Sequence, residues 1–339
     1  MGHERIVFID YLKVLGLLCI ILAHVCKNPS IFQLRNFDVP LMVIISGFLA
    51  VDSYKRSVQS NNSLLNYYWK RIKRLLFPTW IFLAIYFILS YIFITNSGGA
   101  YPYNYKTVLS SFLLLNGIGY VWIIRIYLIC AFLTPIIYYF NDKIKSGKMK
   151  LAILLVIYVL YELFVFLGYS DLNAIFKYFV AYAIPYGLIY ILGMLSKNTS
   201  YKKDYGISLL FLITFIASAF AVASIFNGFQ PTQIMKYPPT IYYVSYSLFA
   251  SFLLLSIFKQ ANLKRFIVIE FLSNSSLWIY LWHIMFVKLA TVFLGDVHWT
   301  VNYLAILAAA IGITFIQNKI LDLLEHRGIN IGVLNLFRG

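Results

Sequence analysis

The sequence predicts an all-α, polytopic membrane bundle of about ten transmembrane helices with both termini cytoplasmic. Three observations predict it. Of the 339 residues, 61% are hydrophobic and only 12% charged, against about 25% charged in soluble domains. Mean hydropathy is +0.80. Apolar stretches of about 20 residues recur along the chain, the length that crosses a hydrocarbon core. Finally, the basic residues fall in alternate loops, as the positive-inside rule requires.

Ten spans follow in order: Ile6–Cys26, Val39–Tyr54, Leu75–Thr95, Val121–Phe140, Leu151–Gly168, Ile175–Ser196, Tyr205–Phe226, Thr240–Phe258, Ser275–Leu294 and Val301–Leu321. The second is short and is expected to tilt little or to sit in thinned bilayer. Val108–Leu115 is apolar but too short to cross, so an interfacial helix is expected there. With the N-terminus inside, the external segments hold Lys27, Arg35, Lys106 and Lys236, and the spans hold Lys13, Arg125, Lys177 and Lys288. The other 20 of the 28 Lys and Arg residues are then cytoplasmic. No linker, low-complexity tract or internal repeat divides the chain, so one membrane domain over residues 1–339 is expected.

A net charge of +16 would suggest nucleic acid in a soluble protein. Here the loop positions account for it, and no nucleic-acid partner is expected. Cys19, Cys26 and Cys130 lie in or at the ends of apolar runs without CxxC spacing, which points to packing rather than a metal. The first apolar run is long and lacks a small-residue cleavage site, so it is expected to stay as a span.

That first run, IDYLKVLGLLCIILAH, carries Asp10, Lys13 and His24. Lys13 and His24 are 11 residues apart, and Asp10 precedes Lys13 by three, so a helix puts all three on one side. About 1.5 Å per residue separates Lys13 from His24 by roughly 16 Å along the axis. Asp10 and Lys13 can form a local pair with Lys13 snorkelling, and His24 can be a helix-end residue. Intramembrane ionisable groups more often face a bundle interior and mark function, however. Histidine is also the side chain suited to general-base work near neutral pH.

The same segment resembles the first-helix signature of the membrane acyltransferase-3 family: an Asp, a basic residue, ten residues, then His. Lys13 stands where that family more often has arginine, which keeps the charge but loses the planar fork. FDVPLMVIISGFLA resembles the family's second helix, with its Ser-Gly pair at Ser46 and Gly47. KRIKRLLFPTW carries its R-x-x-R element at Arg71 and Arg74. NSSLWIYLWHIMF carries its Tyr-Leu-x-His pattern at Tyr280, Leu281 and His283, and YVWIIRIYLICAFLTP is a looser match to a middle helix.

The resemblance implies an O-acyltransferase in a bacterial cytoplasmic membrane. It would move an acyl group, usually acetyl, from cytoplasmic acetyl-CoA to a hydroxyl of a surface polysaccharide or its lipid-linked precursor. On that reading His24 is the general base, with Asp10, Lys13 and Asp38 in the catalytic group. Lys70, Arg71, Lys73 and Arg74, with Lys13, would hold the CoA phosphates. Ser46, Lys13 and Arg125 are candidate donors to the oxyanion. Arg125 and Glu162 are expected to pair, because an isolated charge there is costly. Asp38 either orients His24 or caps a helix before Pro40. His283 is expected to make a structural hydrogen bond to a neighbouring helix. No metal is called for.

Composition alone fits two other readings. One is a transporter or flippase for a polysaccharide precursor, which needs no acyl-CoA. The other is a structural or sensor component of a surface-assembly complex, which predicts no effect of His24→Ala.

Overall fold

The computed structural model describes residues 5–59, 64–96, 98–115, 117–168, 176–293, 297–328 and 336–338. The described residues are helical almost throughout. In order the helices are α1 (Val7–Ala23), α2 (Pro29–Leu34), α3 (Asp38–Gln59), α4 (Leu64–Asn96), α5 (Tyr105–Phe112), α6 (Trp122–Lys143) and α7 (Gly147–Gly168). A π-helical turn, Phe176–Val180, leads into α8 (Ala181–Ser196), followed by α9 (Tyr201–Ile225) and a 3-10 turn, Thr232–Met235. The chain ends with α10 (Ile241–Gln260), α11 (Ile267–Asn274), α12 (Ser276–Phe293) and α13 (Trp299–His326).

Among the described residues, eight helical segments are long and apolar enough to cross a bilayer. They match the expected spans other than the first and ninth. The first is α1, of 17 residues, and the ninth is the apolar stretch Ser276–Thr291 of α12. At about 1.5 Å per residue each covers roughly 25 Å, so modest bilayer thinning or flanking-residue snorkelling lets both cross. The protein is therefore a multi-pass membrane protein, close to the ten-span expectation. The expected ends at Ile175 and Leu294 lie outside the described residues.

Several boundaries differ from expectation, three of them near the candidate residues. The second span is not short: α3 runs 22 residues, because Ser53 to Gln59 continue its helical pattern past the apolar stretch. The third span extends by a helical run that begins at Leu64, which places Lys70–Arg74 on a helix rather than in a loop. The first span ends early, with His24 just beyond α1 in a turn closed by His24 N–H to Ile21 O (3.1 Å) and Cys26 N–H to Leu22 O (2.9 Å). A short helix, α5, overlaps the short apolar stretch Val108–Leu115 but starts three residues earlier and ends three earlier. Asn104 caps it by accepting the Thr107 N–H (2.9 Å), and the Trp80 indole N–H ties its Phe112 carbonyl to α4 (2.8 Å).

The chain forms two compact units. Unit 1 holds residues up to Ile20, Asn28–Leu64 and Ile129–Arg265; unit 2 holds Ile21–Lys27, Leu65–Leu128 and Phe266 onward. Within unit 1, α9 packs along α10, and α3 packs along α8. Two glycines allow the second contact: a Cβ on Gly47 would strike the Tyr190 carbonyl, and one on Gly193 would strike that of Ile44. The Ser46-Gly47 pair is thus, in part, a close-packing device. Within unit 2, α12 packs against α13, and Trp282 donates to Gln317 across that contact (2.9 Å).

Candidate functional site

Unit 2 gathers an imidazole-rich group around His24. Its ring lies 4.7 Å from the ring of Tyr120 and 5.3 Å from that of His283, centroid to centroid. His24 is exposed, whereas His283 is fully buried. His283 Nδ1 meets the Tyr280 carbonyl one turn back on α12. A carbonyl only accepts, so Nδ1 carries the proton and a neutral ring has its lone pair on Nε2. That Nε2 is buried and has no hydrogen-bond partner among the described residues. The expected bond from His283 to a neighbouring helix is therefore replaced by one to its own helix, and the free nitrogen belongs to the His24 group.

The rest of the group is fixed by α12. Tyr280 donates its hydroxyl to the Tyr120 carbonyl (2.5 Å), which holds the Tyr120 ring beside His24. Lys288 Nζ lies 5.9 Å from the same ring. Burial, aided by Tyr103, pushes the Tyr120 phenol above its ordinary range. It therefore stays a protonated hydrogen-bond donor at neutral pH.

Unit 1 holds Asp10, Lys13, Asp38 and Ser46. Asp10 takes a two-point ion pair from Arg5, with Nε to Oδ2 at 2.5 Å and a second nitrogen to Oδ1 at 3.0 Å. Lys13 is half-buried one turn further along α1, and Ser46 is half-buried on α3. Asp38 opens α3 and accepts the Val39 N–H (2.7 Å). It also binds Arg35 (2.8 Å) and faces Lys236 (3.8 Å). Arg35 and Lys236, expected in external loops, are instead 4% and 3% exposed. The short α2 and the 3-10 turn fold them inward.

The basic run sits on α4. Lys70, Lys73 and Arg74 are exposed and Arg71 is half-buried. The Arg71 guanidinium stands over the Tyr67 ring at 5.2 Å and Lys73 over Trp69 at 5.2 Å. Arg71 and Arg74, three apart on a helix, share a face. Arg125 donates to the Leu114 carbonyl (2.8 Å) in unit 2. Glu162 is on α7 in unit 1, and its buried Oε1 has no hydrogen-bond partner among the described residues. Of the two residues expected to pair, Arg125 thus has a backbone partner in unit 2, and Glu162 belongs to unit 1. Unit 2 also holds an open cavity of about 460 Å³ lined by Asn274, Ser275, Phe315, Asn318, Lys319 and Arg338, among others.

A family model described as an acyltransferase domain matches residues 6–317. The chain belongs to the acyltransferase 3 family. No curated protein and no solved structure matches it.

As a membrane acyltransferase, the chain has the resembling motifs distributed over both units. The first-helix Asp and Lys fall in unit 1, and the first-helix His and the Tyr-Leu-x-His motif fall together in unit 2. Tyr120, Lys288, Arg35 and Lys236 were not among the site residues the sequence singled out. The three-residue spacing of Arg35 and Asp38 was a legible signal for one ion pair. Lys236 lies almost 200 positions away, and no local pattern links it to them.

Proposed function

We propose that this acyltransferase moves an acetyl group from acetyl-CoA to a hydroxyl of a surface polysaccharide or its lipid-linked precursor, in a cytoplasmic membrane, with His24 as general base. The observation that carries the reading is an exposed His24 seated against the buried His283 and Tyr120 in a member of an acyltransferase family. Family membership favours group transfer over the transporter reading.

On this reading the acceptor hydroxyl gives its proton to His24 as its oxygen attacks the thioester carbonyl. The tetrahedral intermediate needs donors for its oxyanion; within the unit that holds His24, the protonated Tyr120 phenol joins Arg125 as a candidate. Collapse breaks the carbon–sulfur bond, and the proton on His24 leaves with the CoA thiolate as free thiol. His283, neutral with Nε2 unprotonated, offers His24 an acceptor that favours one tautomer. Arg71 and Arg74, with Lys70 and Lys73 beside them, would hold the CoA phosphates through charge-assisted hydrogen bonds. The loop-charge argument puts these residues on the cytoplasmic side.

Purified protein in detergent, supplied with labelled acetyl-CoA, tests this. Saturable binding with slow hydrolysis or transfer is expected. A correctly folded protein that neither binds nor turns over acetyl-CoA would refute the reading.

A further inference from the structure

At the α2–α3 junction, unit 1 buries two cations against one carboxylate. Arg35, Asp38 and Lys236 are 4%, 1% and 3% exposed. Asp38 has both oxygens engaged, Oδ1 by the Val39 N–H and Oδ2 by Arg35. Lys236 Nζ stands 3.8 Å from Oδ1, beyond ordinary hydrogen-bond length. Arg35 Nε is buried and has no partner among the described residues. Glu162, on α7, forms no ion pair with either cation among the described residues. The group therefore carries one uncompensated positive charge away from water, which is expensive unless an anion completes it. Burial pushes the Lys236 ammonium down from its ordinary range, and Asp38 partly restores it.

The surroundings are rigid and aromatic. Asn36 donates to Thr232 (2.8 Å) and to Gln33 (3.1 Å), which locks α2 to the 3-10 turn. Ser247 on α10 donates to the Asn36 carbonyl (3.1 Å). Tyr243 and Tyr237 flank Lys236 at 5.6 and 5.7 Å, and Phe32 lies under Arg35 at 4.0 Å. Tyr237 is 46% exposed, so one aromatic wall of the cluster borders the surface. Rings beside paired cations suit a sugar that carries a negative charge.

We propose that Arg35 and Lys236 bind a singly charged oxyanion, a carboxylate or a phosphodiester, borne by the acceptor glycan or its lipid. One negative charge brings the cluster to neutrality, and Arg35 Nε and Lys236 Nζ supply the donors. The identity of the carrier rests on the acyltransferase reading; the anion site does not.

The test measures thermal stability and equilibrium binding of the full chain in non-ionic detergent at low salt. The probes are glucuronate, glycerophosphoglycerol and glucose, with acetyl-CoA binding followed in the same samples. Glucuronate is expected to bind and stabilise while glucose does not; a response to glycerophosphoglycerol alone assigns the oxyanion to a phosphodiester. Lys236→Gln should weaken anion binding at least about tenfold, as loss of a charge-assisted bond implies, and Lys236→Arg should retain it. If Lys236→Gln fails to fold, the wild-type arms still decide. The site is overturned if neither anion binds, if glucose binds equally, or if folded Lys236→Gln binds like wild type. Anion binding without acetyl-CoA binding would leave this site standing and break the acyltransferase reading. Acetyl-CoA binding without anion binding would do the reverse.

Discussion

Helix α10 carries a half-buried lysine, Lys259, near its end and is preceded by a buried one, Lys236, and the two are held in opposite ways. Lys259, on its last turn, is matched: Nζ reaches Asp204 and the Ser196 carbonyl at 2.7 Å each, and the Thr199 carbonyl at 3.1 Å. Asp204, fully buried, also accepts from Thr199 at 2.5 Å. Lys236, just before the first turn, shares one carboxylate with Arg35 at a longer distance. A balanced, fully bonded pair ties α9 and the loop after α8 to α10, and nothing is left over for a ligand. A surplus cation with an unfilled donor is a poor way to hold a fold and a good way to recognise an anion. The same residue type thus serves architecture at the end of α10 and, on the inference above, recognition in the segment that leads into it.

The sharpest way to break this contrast is Asp204→Ala. It leaves the half-buried Lys259 without its carboxylate and should cost about 3–5 kcal/mol, read as a large drop in Tm in detergent. Next come two matched substitutions, Lys259→Met and Lys236→Met. The first strands Asp204 and should destabilise by several kcal/mol, on the order expected for breaking a buried pair. The second removes the surplus charge and keeps Arg35–Asp38, so its stability should stay within about 1 kcal/mol of wild type, as for apolar replacement of a buried charge. Equal losses in denaturant melts would make both clusters structural.

A third kind of cation sharpens the comparison further. Lys70, Lys73 and Arg74 are exposed on α4 with Arg71 half-buried beside them, outside any buried ion-pair cluster described above. Replacing Arg71 and Arg74 together by Gln should leave Tm unchanged and weaken acetyl-CoA binding roughly tenfold, in line with lost charge-assisted bonds. Isothermal titration against the double variant checks this; unchanged affinity would remove the two arginines from the donor site. The smallest effect belongs to Tyr280→Phe. It deletes the bond to the Tyr120 carbonyl, costs about 1 kcal/mol of stability, and should lower kcat while sparing acetyl-CoA affinity.

Much of the fold was legible because bilayer thickness and loop charge act on composition, which one chain displays in full. Helix ends were less so. Lys70–Arg74 read as loop, since hydropathy detects the hydrocarbon core and not the helix that continues beyond it. His24 was legible from its spacing after Lys13 and from the family signature. That His283 turns Nδ1 to its own helix and leaves Nε2 beside His24 was not, because rotamer and neighbour depend on packing. The Arg35–Asp38–Lys236 cluster was hidden for a related reason: loop charges are assumed solvated, and only the fold of α2 and the 3-10 turn buries these.

The central claim is that His24 is the general base of an acetyl transfer. Acetyl transfer from labelled acetyl-CoA by purified wild type and His24→Ala, both shown to fold and to bind acetyl-CoA alike, tests it most directly. Loss of a positioned base predicts a fall of about 10²–10⁴-fold in kcat with acetyl-CoA affinity preserved. Transfer by His24→Ala at the wild-type rate would contradict it.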